Sequence, residues 1–242
     1  MSFDLDRRDF LKAAAVAAVT IAPGVILIAP GDVSAKPADQ PASPKVRWGM
    51  LVDTTRCTAD CKACVSACKT ENGLTGFDRP KTDAQWIRKV EMKDKASGQV
   101  SSAPVMCQHC AEPPCVDVCP TGASFKRPDG IVLVDRHVCI GCRFCMMACP
   151  YKARSFVHED IHQQTNAAPR GIGTVEGCTL CVNRVDAGLS PACVDACRSN
   201  GKGALLFGDL NDPNSEIAKR VKGAVQLRPD LKTNNGVRYQ GI

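Results

Sequence analysis

Sixteen cysteines, falling into four groups of four with none left over, constrain this chain more than any other feature. The groups are Cys57, Cys61, Cys64, Cys68; Cys107, Cys110, Cys115, Cys119; Cys139, Cys142, Cys145, Cys149; and Cys178, Cys181, Cys193, Cys197. Each closes on a C-x-x-x-C step, and a fourfold repetition of that kind is not a chance event. The 242 residues include only seven Phe, two Trp and two Tyr. A core of large side chains alone is therefore short of material, and the cysteines must help to organise the fold.

The third group reads C-x2-C-x2-C-x3-C-P, ending on Pro150, and the second also ends on a proline, Pro120. This is the spacing with which thiolates hold paired [4Fe-4S] clusters. Three cysteines two residues apart let a loop wrap one cube, with Gly141 keeping backbone amides close to sulfur. The fourth lies one helical turn further on and reaches a neighbouring cube instead. Groups two and three then exchange their last cysteines, giving the sets Cys107, Cys110, Cys115, Cys149 and Cys139, Cys142, Cys145, Cys119. By elimination the outer groups give Cys57, Cys61, Cys64, Cys197 and Cys178, Cys181, Cys193, Cys68. The beginning and end of the cysteine region are thus expected to meet in space.

Two departures stand out. Group one is spaced C-x3-C-x2-C, so its loop is expected to bulge around its cube, and its last cysteine precedes Lys69 where the inner groups have proline. Group four is likewise followed by Arg198. Positive charge near a cube favours its reduced, more negative form, so both residues are expected to raise the outer potentials.

Other chemistries compete for the same sulfurs. Four-cysteine zinc sites are built from C-x2-C knuckles, which would make the chain a zinc-stabilised binding module, but C-x3-C-P endings have no role in them. Disulfides are disfavoured because C-x2-C pairs rarely bridge. A catalytic cluster enzyme would need an iron left open, whereas all sixteen ligand positions are filled.

The N-terminus speaks to compartment. Asp6 to Lys12 read D-R-R-D-F-L-K, followed by an apolar run from Ala13 to Pro30 and an A-x-A-like site at Val33 to Ala35. This resembles a twin-arginine export signal, although Asp6 stands where Ser or Thr is usual. The competing reading is an uncleaved membrane anchor, which Pro23 and Gly24 interrupt. The twin-arginine route carries proteins already folded around a cofactor, so it fits clusters assembled in a reducing compartment better than disulfides formed outside it.

Residues 1–35 read as the signal and 36–45 as a linker, and removing the signal leaves 28 basic against 21 acidic residues, a net of +7. Four oxidised cubes with their thiolates bring about −8 and leave the loaded protein near about −1. The basic excess is thus counter-charge for clusters, and no basic run or RNA-binding motif points to nucleic acid.

The expected fold class is α+β: a duplicated, loop-rich ferredoxin-like arrangement of two pseudo-symmetric dicluster lobes with short strands and helices. Strands are expected at Leu51 to Asp53 and Leu133 to Asp135, each leading into a cysteine loop, at Trp86 to Met92, and at Ala204 to Phe207. A hairpin loop is expected from Lys93 to Ser102, and a helix from Pro213 to about Val221 with Asp212 as its cap. The four-cluster domain spans 46–222, its inner lobe about 103–157 and its outer lobe about 46–92 with 172–210. The polar residues 223–242 read as a tail wrapping a surface or a partner.

The segments from Cys107 to Ala123 and from Cys139 to Tyr151 resemble the four-cluster ferredoxin-type electron-transfer subunits of membrane-bound oxidoreductases, of dimethyl sulfoxide, polysulfide, tetrathionate and cytochrome-linked nitrite reductase type. The resemblance runs from about Val46 to Val221. It implies four [4Fe-4S] clusters, the same exchange of cysteines, no small-molecule substrate of the chain's own and a membrane-embedded partner. The export signal and the tail from Gly236 to Ile242 are similar to the periplasmic iron-sulfur subunit of the sulfite-reductase-associated Dsr complex. That implies a quinone-reactive integral membrane subunit and a periplasmic multihaem cytochrome, or a molybdopterin catalytic subunit in the related reductases, with the chain periplasmic and membrane-associated through its partner.

Four histidines remain. His109 and His137 flank cluster cysteines and could tune a cube, though packed or surface roles are the ordinary reading. His158 and His162 at helical spacing look metal-like only in isolation. Gly171 and Gly173 lack the third glycine of a dinucleotide fingerprint and read as a loop. Met146 and Met147 read as core filler beside a cluster.

Overall fold

The run Trp48–Asp53 forms strand β1 at the centre of a three-stranded sheet. In the computed structural model, which describes residues 41–242 except 75, 80, 94, 96, 97, 99, 163 and 165–168, Met50, Leu51 and Val52 are all fully buried. Burial of consecutive residues means that both faces of β1 are covered, which is why its sequence is a continuous apolar run without alternation. On one side β1 pairs antiparallel with β8 (Leu205–Asp209), Trp48 opposite Asp209 and Val52 opposite Leu205. On the other it pairs parallel with β9 (Val237–Gln240), Met50 opposite Val237 and Asp53 opposite Gln240.

Three antiparallel hairpins carry the rest: β2 (Ile87–Lys93) with β3 (Val100–Met106), β4 (Ser124–Lys126) with β5 (Val132–Val134), and β6 (Arg154–Phe156) with β7 (Val175–Gly177). The helices are short: α1 (Ala63–Glu71), α2 (Pro114–Asp117), α3 (Phe144–Ala148), α4 (Val182–Asp186), α5 (Ala192–Ser199) and α6 (Glu216–Arg220). Mixed short strands and helices agree with an α+β class. Helices α1 and α5, from the two ends of the cysteine region, pack together. The main core gathers Trp86, Met106, Leu180, Val194, Leu205 and Tyr239 around Cys64, Cys68, Cys193 and Cys197. Cysteines therefore occupy core positions that aromatic residues hold elsewhere.

Two expectations change. The final helix starts at Glu216, capped by the Ser215 hydroxyl, which accepts from the Ala218 amide at 3.2 Å. Asp212 instead accepts from the Asn214 amide at 2.9 Å, an Asx turn that uses its side chain before the helix begins. The polar C-terminal segment enters the core over Thr233 to Tyr239. Asn235, Val237 and Tyr239 are fully buried, and the Gly236 amide donates to the Gln108 carbonyl at 2.8 Å. Its polar groups are buried because they are satisfied: Asn235 Oδ1 accepts from the hydroxyls of Thr233 at 2.7 Å and Tyr151 at 3.0 Å. The export segment and linker residues 36–40 lie outside the described residues. Among the described residues no helix is long and apolar enough to cross a membrane.

Candidate metal centres

Each cysteine group follows one order, a strand, a loop with two cysteines, then a helix holding the third, with the extra helix α4 inserted before the third cysteine in group four. Strand β3 ends at Met106 and delivers Cys107; β7 ends at Gly177 and delivers Cys178. Pro114 at the first position of α2 sets Cys115 on that helix, as α1 carries Cys64, α3 Cys145 and α5 Cys193. The loop between the second group's first cysteines turns through His109, at φ 43°, and Gly141 turns the third group's loop at φ 70°.

Three cavities result. One is lined by Cys107, Cys110, Cys115 and Cys149 with Pro114 and Arg154. A second is lined by Cys119, Cys139, Cys142 and Cys145 with Ser124 and Val175. A third is lined by Cys68, Cys178, Cys181 and Cys193 with Asn72 and Trp86. In each, three cysteines of one group meet the last cysteine of another. The remaining four also gather: burial pushes the Cys64 thiol up to about 11, and its thiol neighbours are Cys197, Cys57 and Cys61.

The donor chemistry fits anionic cubes. Burial likewise raises Cys107 to about 12 and Cys110 and Cys145 to about 11. Sulfurs so far from water become thiolates only when a metal or cation compensates them. Backbone amides are aimed at them: Ser124 donates to Cys119 Sγ at 3.3 Å, Ala153 to Cys149 at 3.4 Å, Ala204 to Cys197 at 3.2 Å and Leu180 to Cys178 at 3.4 Å. The Asn72 amide group reaches Cys68 Sγ at 3.7 Å. Such donors are the surroundings that set cluster potentials.

Three side chains matter here that linear spacing did not single out, Lys89, Arg154 and Trp86, together with His109, which it did. Lys89 Nζ donates to Cys57 Sγ at 2.9 Å and to the Thr58 carbonyl at 2.7 Å. Arg154 Nη2 donates to Cys115 Sγ at 3.3 Å. Trp86 lines the third cavity with its indole N–H unpartnered among the described residues. His109 is buried, and its Nδ1 accepts from the Val132 amide at 3.0 Å, which puts its proton on Nε2. Burial and the neighbouring Arg154 lower its pKa to about 3, so it is neutral. Lys69, Arg198, His137, His158 and His162 are all exposed. Met147 is 67% exposed, contrary to the core position expected of it, while Met146 packs beside Cys145. Around exposed Cys142, Ile140, Arg143 and Phe144 are also exposed.

The cysteine sets also lie next to one another. Cys145 has Cys115 of the first cavity among its electrostatic neighbours, Cys178 has Cys107, and Cys193 has both Cys68 and Cys64. Cys178 packs against the main core and against the small cluster of Cys107, Cys110 and Cys149.

Comparison with known proteins agrees with this chemistry. Residues 98–210 and 56–123 each match the 4Fe-4S dicluster domain, and residues 4–24 match the twin-arginine translocation pathway signal sequence. The chain is 46% identical over 224 residues to the Hdr-like menaquinol oxidoreductase iron-sulfur subunit 1 of Archaeoglobus fulgidus, covering 81% of this chain and 83% of that one. It is 35% identical over 248 residues to a tetrathionate reductase subunit of Salmonella typhimurium, covering 100% and 90%. With a sulfite dehydrogenase subunit of Allochromatium vinosum the identity is 40% over 211 residues, covering 78% and 81%. Two dicluster domains and sixteen cysteines correspond to four [4Fe-4S] clusters.

Proposed function

The chain belongs to the four-cluster [4Fe-4S] ferredoxin-type iron-sulfur subunits of membrane-bound oxidoreductases, and on that premise we propose that its four cysteine sets form one electron conduit. A cube held by four thiolates takes up and returns one electron at a time. The chain supplies the rest: ligands, amide donors, cations and exclusion of water.

The ligand sets of this reading are Cys139, Cys142, Cys145, Cys119; then Cys107, Cys110, Cys115, Cys149; then Cys178, Cys181, Cys193, Cys68; and finally Cys57, Cys61, Cys64, Cys197. That order rests on packing: Cys145 clusters with Cys115, Cys178 packs against the cluster of Cys107, Cys110 and Cys149, and Cys193 shares the main core with Cys64. The first two sets occupy the inner lobe, about 103–157, and the last two the outer lobe, about 46–92 with 172–210. In the first set Cys142 is exposed, and in the last Cys57 and Cys61 are partly exposed, as are Cys178 and Cys181 of the third.

The conduit runs between a quinone-reactive integral membrane subunit and a periplasmic redox partner. The menaquinol oxidoreductase named for the Archaeoglobus relative supports the former, and the export signal supports a periplasmic location for the latter. Tetrathionate and sulfite relatives support a role in sulfur metabolism, as in a Dsr-type complex with a multihaem cytochrome. A molybdopterin catalytic subunit is the second reading, favoured by the full-length similarity to the tetrathionate reductase relative.

Metal and acid-labile sulfide analysis of anaerobically purified protein, followed by low-temperature electron paramagnetic resonance of the reduced form, tests the proposal. The expected result is about sixteen iron and as many sulfide per chain; about four zinc with no sulfide overturns it. Haem or molybdenum in the complex isolated from solubilised membranes separates the two partner readings.

A further inference from the structure

Arg154 opens strand β6 with its side chain withdrawn from water. Its Nη2 donates to Cys115 Sγ at 3.3 Å and to Ser124 Oγ at 3.0 Å. Arg170, the other arginine buried among the described residues, is neutralised by Glu176 through paired 2.9 Å bonds. Arg154 has no carboxylate among its hydrogen-bond or ion-pair partners in the described residues, and a guanidinium buried without a counter-charge is strongly destabilising.

Its surroundings supply that charge as thiolates from two different sets. Cys115, Cys107 and Cys145 are its electrostatic neighbours, and Ser124, which Arg154 holds by its hydroxyl, donates its amide to Cys119 Sγ at 3.3 Å. Gly177, opposite Arg154 in the strand ladder, leaves room for the stem: a Cβ there would lie 3.4 Å from Arg154 Cδ and 2.8 Å from the Ala153 carbonyl.

We infer that Arg154 is the counter-charge shared by the two inner clusters, a positioning residue that fixes the Cys115 thiolate and raises both inner reduction potentials. The inference rests on the four-cluster reading. Reduction makes a cube more negative, and a fixed cation at its edge stabilises that form more than the oxidised one. Burial keeps salt from screening the effect. Arginine suits the position because its planar fork serves sulfur and hydroxyl together, where an ammonium offers only a point charge.

The experiment is a redox titration, followed by electron paramagnetic resonance, of the full chain carrying Arg154→Gln or Arg154→Lys. With Gln, the midpoints of two clusters should fall while the other two stay. Lys should recover most of that fall. Four unchanged midpoints, a uniform shift of all four, or a Lys variant indistinguishable from Gln would each overturn the inference. If the Gln variant loses iron, the wild-type protein labelled with 15N-arginine decides: electron-nuclear double resonance of the reduced form should show an arginine nitrogen coupled to a cluster, and the lack of any such coupling overturns the inference. Wild-type protein without iron and sulfide would instead sink the four-cluster reading, before any variant is made.

Discussion

The Lys89 ammonium lies 2.9 Å from the Cys57 sulfur and is held there by the Thr58 carbonyl at 2.7 Å. Strand β2 thus contributes a cation to the cysteine group with the irregular C-x3-C spacing, thirty-two residues away in sequence. A charge-assisted donor on a ligand sulfur is worth more than a solvated charge nearby.

Replacing Lys89 with Gln is therefore expected to lower the midpoint of one cluster. The shift should be on the order of a tenfold change in the reduction equilibrium, about 59 mV for a one-electron couple. Lys69→Ala and Arg198→Ala remove exposed charges and should move it much less. Parallel redox titrations of the three variants check the ranking, and an equal shift from Lys69 or Arg198 would contradict it.

Gly141 is expected to be irreplaceable. Its φ of 70° lies in the left-handed region, and a Cβ there would stand 2.1 Å from the Gly173 carbonyl oxygen, a backbone atom with no rotamer to yield. Gly141→Ala should cost about 1–3 kcal/mol through strain alone, more once the clash displaces the Arg170 to Thr174 loop. The measurable outcome is loss of about four iron per chain, from the Cys139, Cys142, Cys145 and Cys119 set, with a lower thermal midpoint.

The C-terminal strand is expected to be structural. Tyr239 is fully buried, its hydroxyl donating to the Pro104 carbonyl at 3.2 Å and accepting from Gln108 Nε2 at 3.3 Å. Tyr239→Phe should cost about 1 kcal/mol, the net worth of a hydrogen bond plus the stranded partner. Tyr239→Ala should cost about 3–5 kcal/mol by opening a cavity in the main core. Thermal melts followed by cluster absorbance give the ranking. An Ala variant as stable as wild type would mean that the segment does not pack as described.

Much of this was legible in the linear chain. The apolar run at β1, the extended segments at β2, β5 and β8, and the four cysteine groups are local patterns, readable because strand burial and helical rise repeat over a few residues. The helix cap was misread because Asp212 and Ser215 are both good caps, and which one turns the chain depends on Pro213 and the packing around them. The C-terminal segment reads as a tail wrapping a surface or a partner because Thr233, Asn235 and Gln226 are polar, and only their hydrogen bonds to Tyr151 and to one another make burial affordable.

By itself the sequence determined the cofactor chemistry: sixteen thiols in four groups at spacings suited to cubes, with a basic excess to balance them. Tertiary structure alone decided which cations meet which sulfurs, that Lys89 and Arg154 do so while Lys69 and Arg198 face water, and that the last strand pairs with the first. The reason is range. Ligand spacing is set within one helical turn, whereas the field at a buried sulfur is set by whichever distant strand the fold brings within about 3–4 Å of it.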